Sequence, residues 1–214
     1  MHIKNLQLKS RYFGRKKIMA QMDSKELIES FKEKLLQINQ DFEQLIKEHE
    51  TNLLQHKPST KQWSAIECIQ HVYLTNKYYL PKLKKVLAKA GKVNNTPKKT
   101  FKPGFIGNYM YNTMKPINGK VKNKVGTFNS IDPNKKYANA SLDAEKVIEN
   151  FRRQQHELKE LIGLTKEVGL EYGRIPSLLG AIISFKPGDV LRFLLAHEER
   201  HLIQAKAAIP QTIA

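Results

Sequence analysis

Residues 191–209 read LRFLLAHEERHLIQAKAAI. This stretch carries both the periodicity that sets the fold and the side chains that set the chemistry. Val190, Leu194, His197, His201, Ala205 and Ala208 recur at steps of three and four, which is one stripe along an α-helix. Both imidazoles therefore sit on the inward side, one turn apart. That spacing lets two ring nitrogens reach one metal ion. Two imidazoles facing a core are costly unless something satisfies them. A metal would do so, and so would a hydrogen-bonded polar network.

The same residues, His197-Glu198-Glu199-Arg200-His201, also spell the H-E-x-x-H of zinc peptidases. The match is literal, but the surroundings argue against it. Gln204 and Ala207 stand where the extended motif needs Gly and His. At about 100° per residue, Glu198 points roughly 80° away from the mean direction of the two histidines, and Gln204 only about 40°. The spacing thus favours a metal or polar site over a peptidase. A third inward histidine, His71, lies one turn after Glu67 among Ile66, Ile69 and Val72. Of the other four histidines, His49, His56 and His156 read as solvent-facing and His2 lies near the start of the chain.

Working outward, three more long helices are expected. Asp23 with Glu26 makes a capping pattern, followed by Leu27, Phe31, Leu35, Ile38, Phe42 and Leu45 at helical steps. This first helix is expected to end near residues 52–55. Ser64 and Glu67 form a capping box, and Trp63 and Cys68 take the two positions of a hydrophobic staple. The second helix runs from there to about Ala90, bent or interrupted at Pro81 and closed by Gly91. A third begins near Ser141 or Leu142 and reaches about Val168. The linker EYGRIPSLLGAIISFKPGD leads into the fourth, with Pro187 near its first turn. The expected fold is all-α, a four-helix bundle with a long irregular connection between helices 2 and 3.

That connection, residues 91–141, is punctuated by Pro97, Pro103, Gly104, Gly107, Pro116 and Gly119. Phe105, Ile106, Tyr109, Met110 and Tyr111 suggest a short apolar helix within it, either packed on the body or acting as a lid. Its charge is one-sided, with ten lysines against the single acid Asp132. Residues 1–22 carry six basic groups and no acid. These two stretches hold nearly all of the net charge of +17. The body is close to neutral, so nucleic-acid binding by a basic folded face is not expected. Residues 1–22 read as a basic, disordered tail and residues 23–214 as a single helical domain.

The 214 residues are 40 % apolar and 8 % aromatic, enough for a full core. No apolar run approaches the roughly 20 residues that span a bilayer. The single Cys68 excludes an internal disulfide and fits a reducing compartment, so the cytoplasm is the expected location.

Trp63-Ser64-x-x-Glu67-x-x-x-His71, then Gly180 ahead of a last helix with His197-x-x-Arg200-His201-x-x-Gln204, resembles the DinB-like superfamily, which includes the YfiT-type thiol transferases. The resemblance spans about residues 23–209. It implies a four-helix bundle, often a homodimer, with a divalent metal such as zinc or nickel held by three histidines. By position these are His71, His197 and His201. Glu67, Arg200 and Gln204 are implied as residues around the ligands, and no catalytic residue is implied. Some relatives are similar to S-transferases that use low-molecular-weight thiols. The implied function is thus a metal-dependent thiol transferase or hydrolase acting on a small molecule, and the alternative is a non-catalytic metal-binding or stress-associated module. A third reading is anion binding by the lysine-rich segment and the tail, on nucleic acid or acidic lipid.

Overall fold

The computed structural model describes residues 21–122, 124–137 and 142–210. The chain is mostly helical. Four long helices, α1 (Ser24–Glu48), α3 (Ala65–Lys92), α6 (Ala144–Val168) and α7 (Pro187–Ala208), are joined by short ones: α2 (Thr51–Gln55), α4 (Phe105–Met114) and α5 (Pro133–Lys136). Two small antiparallel pairings complete it. One joins β1 (Met22–Asp23) to β2 (Thr100–Phe101), and the other joins β3 (Ile175–Ser177) to β4 (Gly180–Phe185).

The helix starts follow from local chemistry. Asp23 accepts from the backbone N–H groups of Lys25 and Glu26 at 2.8 and 2.9 Å. At Ser64 both halves of the capping box form, with Ser64 N–H donating to Glu67 Oε2 at 2.8 Å and Glu67 N–H donating to Ser64 Oγ at 3.2 Å. Asp143 caps α6, and Pro187 occupies the first turn of α7, where a missing N–H costs nothing.

The inward stripes meet in one core. The main contacts of α1 are with α6 and α7, and those of α3 are with the same two helices, so α6 and α7 each lie between α1 and α3. Phe42 of α1 meets Phe151 of α6 at 4.2 Å between ring centres. Ile38, Ile66, Leu80, Leu83, Leu158 and Leu161 are buried around them, and each such side chain contributes about 1.5–3 kcal/mol. At the surface, Arg152 grips Glu43 with two hydrogen bonds of 2.7 and 2.6 Å, and Lys206 meets Asp41 at 2.6 Å.

Several details depart from the sequence expectation. The first helix stops at Glu48, because His49 leaves the helical conformation (φ −133°) and its Nδ1 takes the Leu45 carbonyl at 3.0 Å; α2 then starts afresh. Pro81 does not interrupt α3, which continues through Gly91 to Lys92. Pro81 and Lys77, whose carbonyl loses its bond, both sit on the exposed side where water can satisfy it. The stretch expected as a linker, 171–186, folds into the β3–β4 hairpin with a bulge between Pro176 and Ser177. Of the expected tail, residues 1–20 lie outside the described ones, while Met22 pairs with Phe101. Gly169 ends α6 at φ +81°, where a Cβ would also approach Pro97 Cα to 3.1 Å.

Candidate metal centre

The capping box fixes where α3 begins, and two turns later His71 points into the interior. His197 and His201 enter from α7. All three are buried, at 3, 3 and 7 % exposure. Their rings lie 4.4–4.9 Å apart between centres. One nitrogen from each ring can be chosen so that all three lie within 4.8 Å of one another. A metal–nitrogen bond of about 2.0–2.1 Å in a tetrahedral site places two ligand nitrogens about 3.3 Å apart. The His71–His197 pair, at 3.0 Å between its Nε2 atoms, is of that size.

The hydrogen bonds around the rings define their tautomers. His71 Nδ1 lies 2.8 Å from the Ile131 carbonyl oxygen. A carbonyl only accepts, so Nδ1 carries the proton and the Nε2 lone pair faces the cluster. His71 Nε2 and His197 Nε2 are 3.0 Å apart. Nδ1 of His197 and Nδ1 of His201 are buried without a hydrogen-bond partner. Three imidazoles offering one nitrogen each to a common point are a donor set that suits a divalent ion, and a carbonyl behind a histidine ligand is the usual support for it.

Electrostatics keep the rings neutral. Burial pushes the pKa of His71 down, opposed by the Ile131 carbonyl and the negative charge of Asp132. His197 and His201 are pushed well below the ordinary value, first by burial and then by neighbouring histidines and the Arg200 cation. Neutral imidazole is the metal-binding form.

Aromatic rings wall the cluster. Trp63 lies 4.8 Å from His71 and 6.0 Å from His201, and Phe193 stacks on His197 at 5.5 Å. Trp63 thus adds a place at the cluster to its role as a staple. It also lines a cavity of about 320 Å³ with Pro58, Lys61, Gln62, Cys68 and Gln204. The Oε1 of Gln204 is buried there with no hydrogen-bond partner.

The other residues singled out from the sequence have separate places. Glu67 stays with its helix start, bonded to Ser64 and to Lys57 Nζ at 2.8 Å, while Ile131 fills the position behind His71. Arg200 is buried at 4 % exposure. Asn76 Nδ2 donates to Oε1 of Glu198 at 2.7 Å, and Glu198 Oε2 is buried with no hydrogen-bond partner. Burial raises its pKa to about 7, against the hydrogen bond from Asn76. Through Asn76 it ties α7 to α3. Cys68 is also sequestered, its thiol pushed up to about 12 by burial and by Glu67, which leaves it protonated and inert. Sequence reasoning missed Ile131, because a backbone carbonyl has no residue signature. It also missed Asn76 and Gln155, although their polarity on the inner side of a helix was a signal.

A predominantly helical chain whose two interior helices bring three buried histidines to one point defines the class. The chain belongs to the DinB superfamily: that family's sequence profile matches residues 34–205, which include all three histidines. Comparison with curated proteins and with solved structures finds no match.

Proposed function

We propose that this protein is a metal-dependent enzyme of the DinB type, in which His71, His197 and His201 hold one divalent ion, zinc or nickel, inside a single four-helix-bundle domain in the cytoplasm. The observation that carries this reading is the convergence of three buried, neutral imidazoles, with His71 oriented by the Ile131 carbonyl. Held by three protein ligands, such an ion keeps open positions at which a thiol or a water loses its proton near neutral pH.

The chain's own residues supply the rest. Ile131 fixes the His71 tautomer, so its Nε2 is available as a ligand. Trp63 and Phe193 shield the cluster from bulk water and strengthen its electrostatics. The cavity beside Trp63 offers room for a small molecule, with Lys61, Gln62 and the unpartnered Gln204 as polar contacts. Thiol transfer to an electrophilic substrate, with a low-molecular-weight thiol as cosubstrate, is the favoured reaction, and hydrolysis is the companion to be assayed beside it.

One observation favours a second reading, a non-catalytic metal-binding module: the carboxylate and the thiol nearest the cluster in sequence, Glu198 and Cys68, are both buried and engaged elsewhere or inert. Elemental analysis of untagged protein, followed by thiol-transfer and hydrolysis screens of the loaded form, separates the two. Metal lost with turnover in His71→Ala supports the enzyme. Stoichiometric metal with no turnover in a broad screen supports the module.

A further inference from the structure

The way α4 docks on α7 buries Met114 and leaves the apolar residues of its other side in solvent. Its inner side is pinned by a buried polar arrangement. Gly104 N–H donates to Asp189 Oδ2 at 3.0 Å, Arg192 donates to Asn108 Oδ1 at 3.0 Å, and the Arg192 guanidinium lies 4.1 Å from the centre of the Tyr111 ring. Gly107 allows the close approach, since a Cβ there would stand 2.5 Å from the Asp189 carboxyl carbon. The helix is therefore held in this orientation, and what it exposes is exposed in a fixed conformation.

On the outer side Phe105 is 80 % and Tyr109 64 % exposed, with Ile106 beside them. The neighbouring strand β4 leaves Ile182 fully exposed, and the turn of the hairpin exposes Leu179. Exposed apolar residues clustered on two adjoining elements mark an interaction surface rather than scattered surface apolars. Lysines bracket it: Lys99 and Lys102 precede α4 and Lys115 follows it, all exposed. They belong to the segment with ten lysines and one acid.

Charge decides between the occupants. A second copy applied through the same face would set the two lysine groups against each other. A nucleic acid would engage the lysines but give Phe105, Ile182 and Leu179 nothing apolar to enter. An anionic lipid surface satisfies both features, because apolar side chains enter the boundary between headgroups and acyl chains while lysines meet the headgroups. We propose that α4 and the β3–β4 hairpin form a docking face for an anionic lipid surface, to which the protein attaches peripherally through Phe105, Tyr109 and Ile182 with Lys99, Lys102 and Lys115 around them.

The test is co-sedimentation of the full chain with vesicles of phosphatidylcholine, with and without phosphatidylglycerol. Wild type is expected to bind only the anionic vesicles. The double variant Phe105→Asp with Ile182→Asp, and the triple variant Lys99→Glu, Lys102→Glu, Lys115→Glu, should each lower the partition coefficient at least about tenfold. All five positions are exposed, so the variants should fold, as circular dichroism will show. A Phe105→Trp variant should gain fluorescence quenching from lipids brominated on their acyl chains. Absence of wild-type binding overturns the proposal. So does undiminished binding by the Phe105→Asp, Ile182→Asp protein, which would assign the attraction to charge alone. A wild-type dimer that this double variant converts to monomer would give the face to a second copy. Salt-sensitive binding of a short duplex with no vesicle binding would give it to nucleic acid.

Discussion

His197 and Glu198 are neighbours in the chain and opposites in what burial makes of them. Both are almost completely enclosed on α7. In each case the low dielectric disfavours the charged form: His197 is pushed well below its ordinary pKa, and Glu198 is raised to about 7. Each also keeps one buried polar atom without a partner, Glu198 Oε2 and His197 Nδ1, so the difference lies in what faces them. Glu198 accepts from Asn76 at 2.7 Å and links α7 to α3. His197 faces His71 and His201, and the three rings bring one nitrogen each within 4.8 Å of one another. Burial of a polar group is thus common to both, and convergence of three donor groups on one point is what separates a site from a structural tie.

The sharpest way to break this comparison is metal content. His71→Ala and His197→Ala should each fall from about one divalent ion per chain to none, whereas Glu198→Gln should keep its ion. Equal loss in Glu198→Gln, measured by elemental analysis, would erase the distinction between the two residues. Next in size is stability. Glu198→Ala leaves Asn76 buried without its partner and should cost about 1–3 kcal/mol in urea unfolding. Glu198→Gln, which keeps size and an acceptor, should cost much less.

The pH response of the metal-free protein should show the opposite signs directly. The three histidines have lowered pKa values when folded. The unfolded chain therefore takes up protons first as pH drops below about 6.5, and stability falls toward acid. Glu198 binds its proton more tightly when folded, with a pKa of about 7 against 4.5. Its contribution is complete below 4.5 and is lost as pH rises through 7. Unfolding midpoints across pH should show both flanks, and Glu198→Gln should flatten only the alkaline one. The smallest effect belongs outside the interior: Arg152→Ala, which breaks the exposed pair with Glu43, should cost under about 1 kcal/mol.

Much of this was legible in the residues. The four long helices announce themselves through apolar steps of three and four, and Asp23 and Ser64 mark starts that the structure keeps. The pairing of His197 with His201 is local geometry on one helix, so spacing alone places them together. The hairpin at 175–185 was not legible. Its strands are short, and Ile182 on the outer side hides the alternation that would have marked a strand. Likewise the end of α1 turned on one contact, His49 to the Leu45 carbonyl, that no propensity encodes.

A period of 3.6 was enough to give the helical class and the inward direction of His71, His197 and His201, and residue type alone gives the concentration of lysines in 91–141. Other outcomes came with assembly: α3 and α7 set their histidines against each other, the Ile131 carbonyl stands behind one of them, and α4 keeps Phe105 and Tyr109 outside. Those outcomes depend on which backbone and which helix face lies opposite, and that is settled by long-range packing, to which no local pattern of residues corresponds.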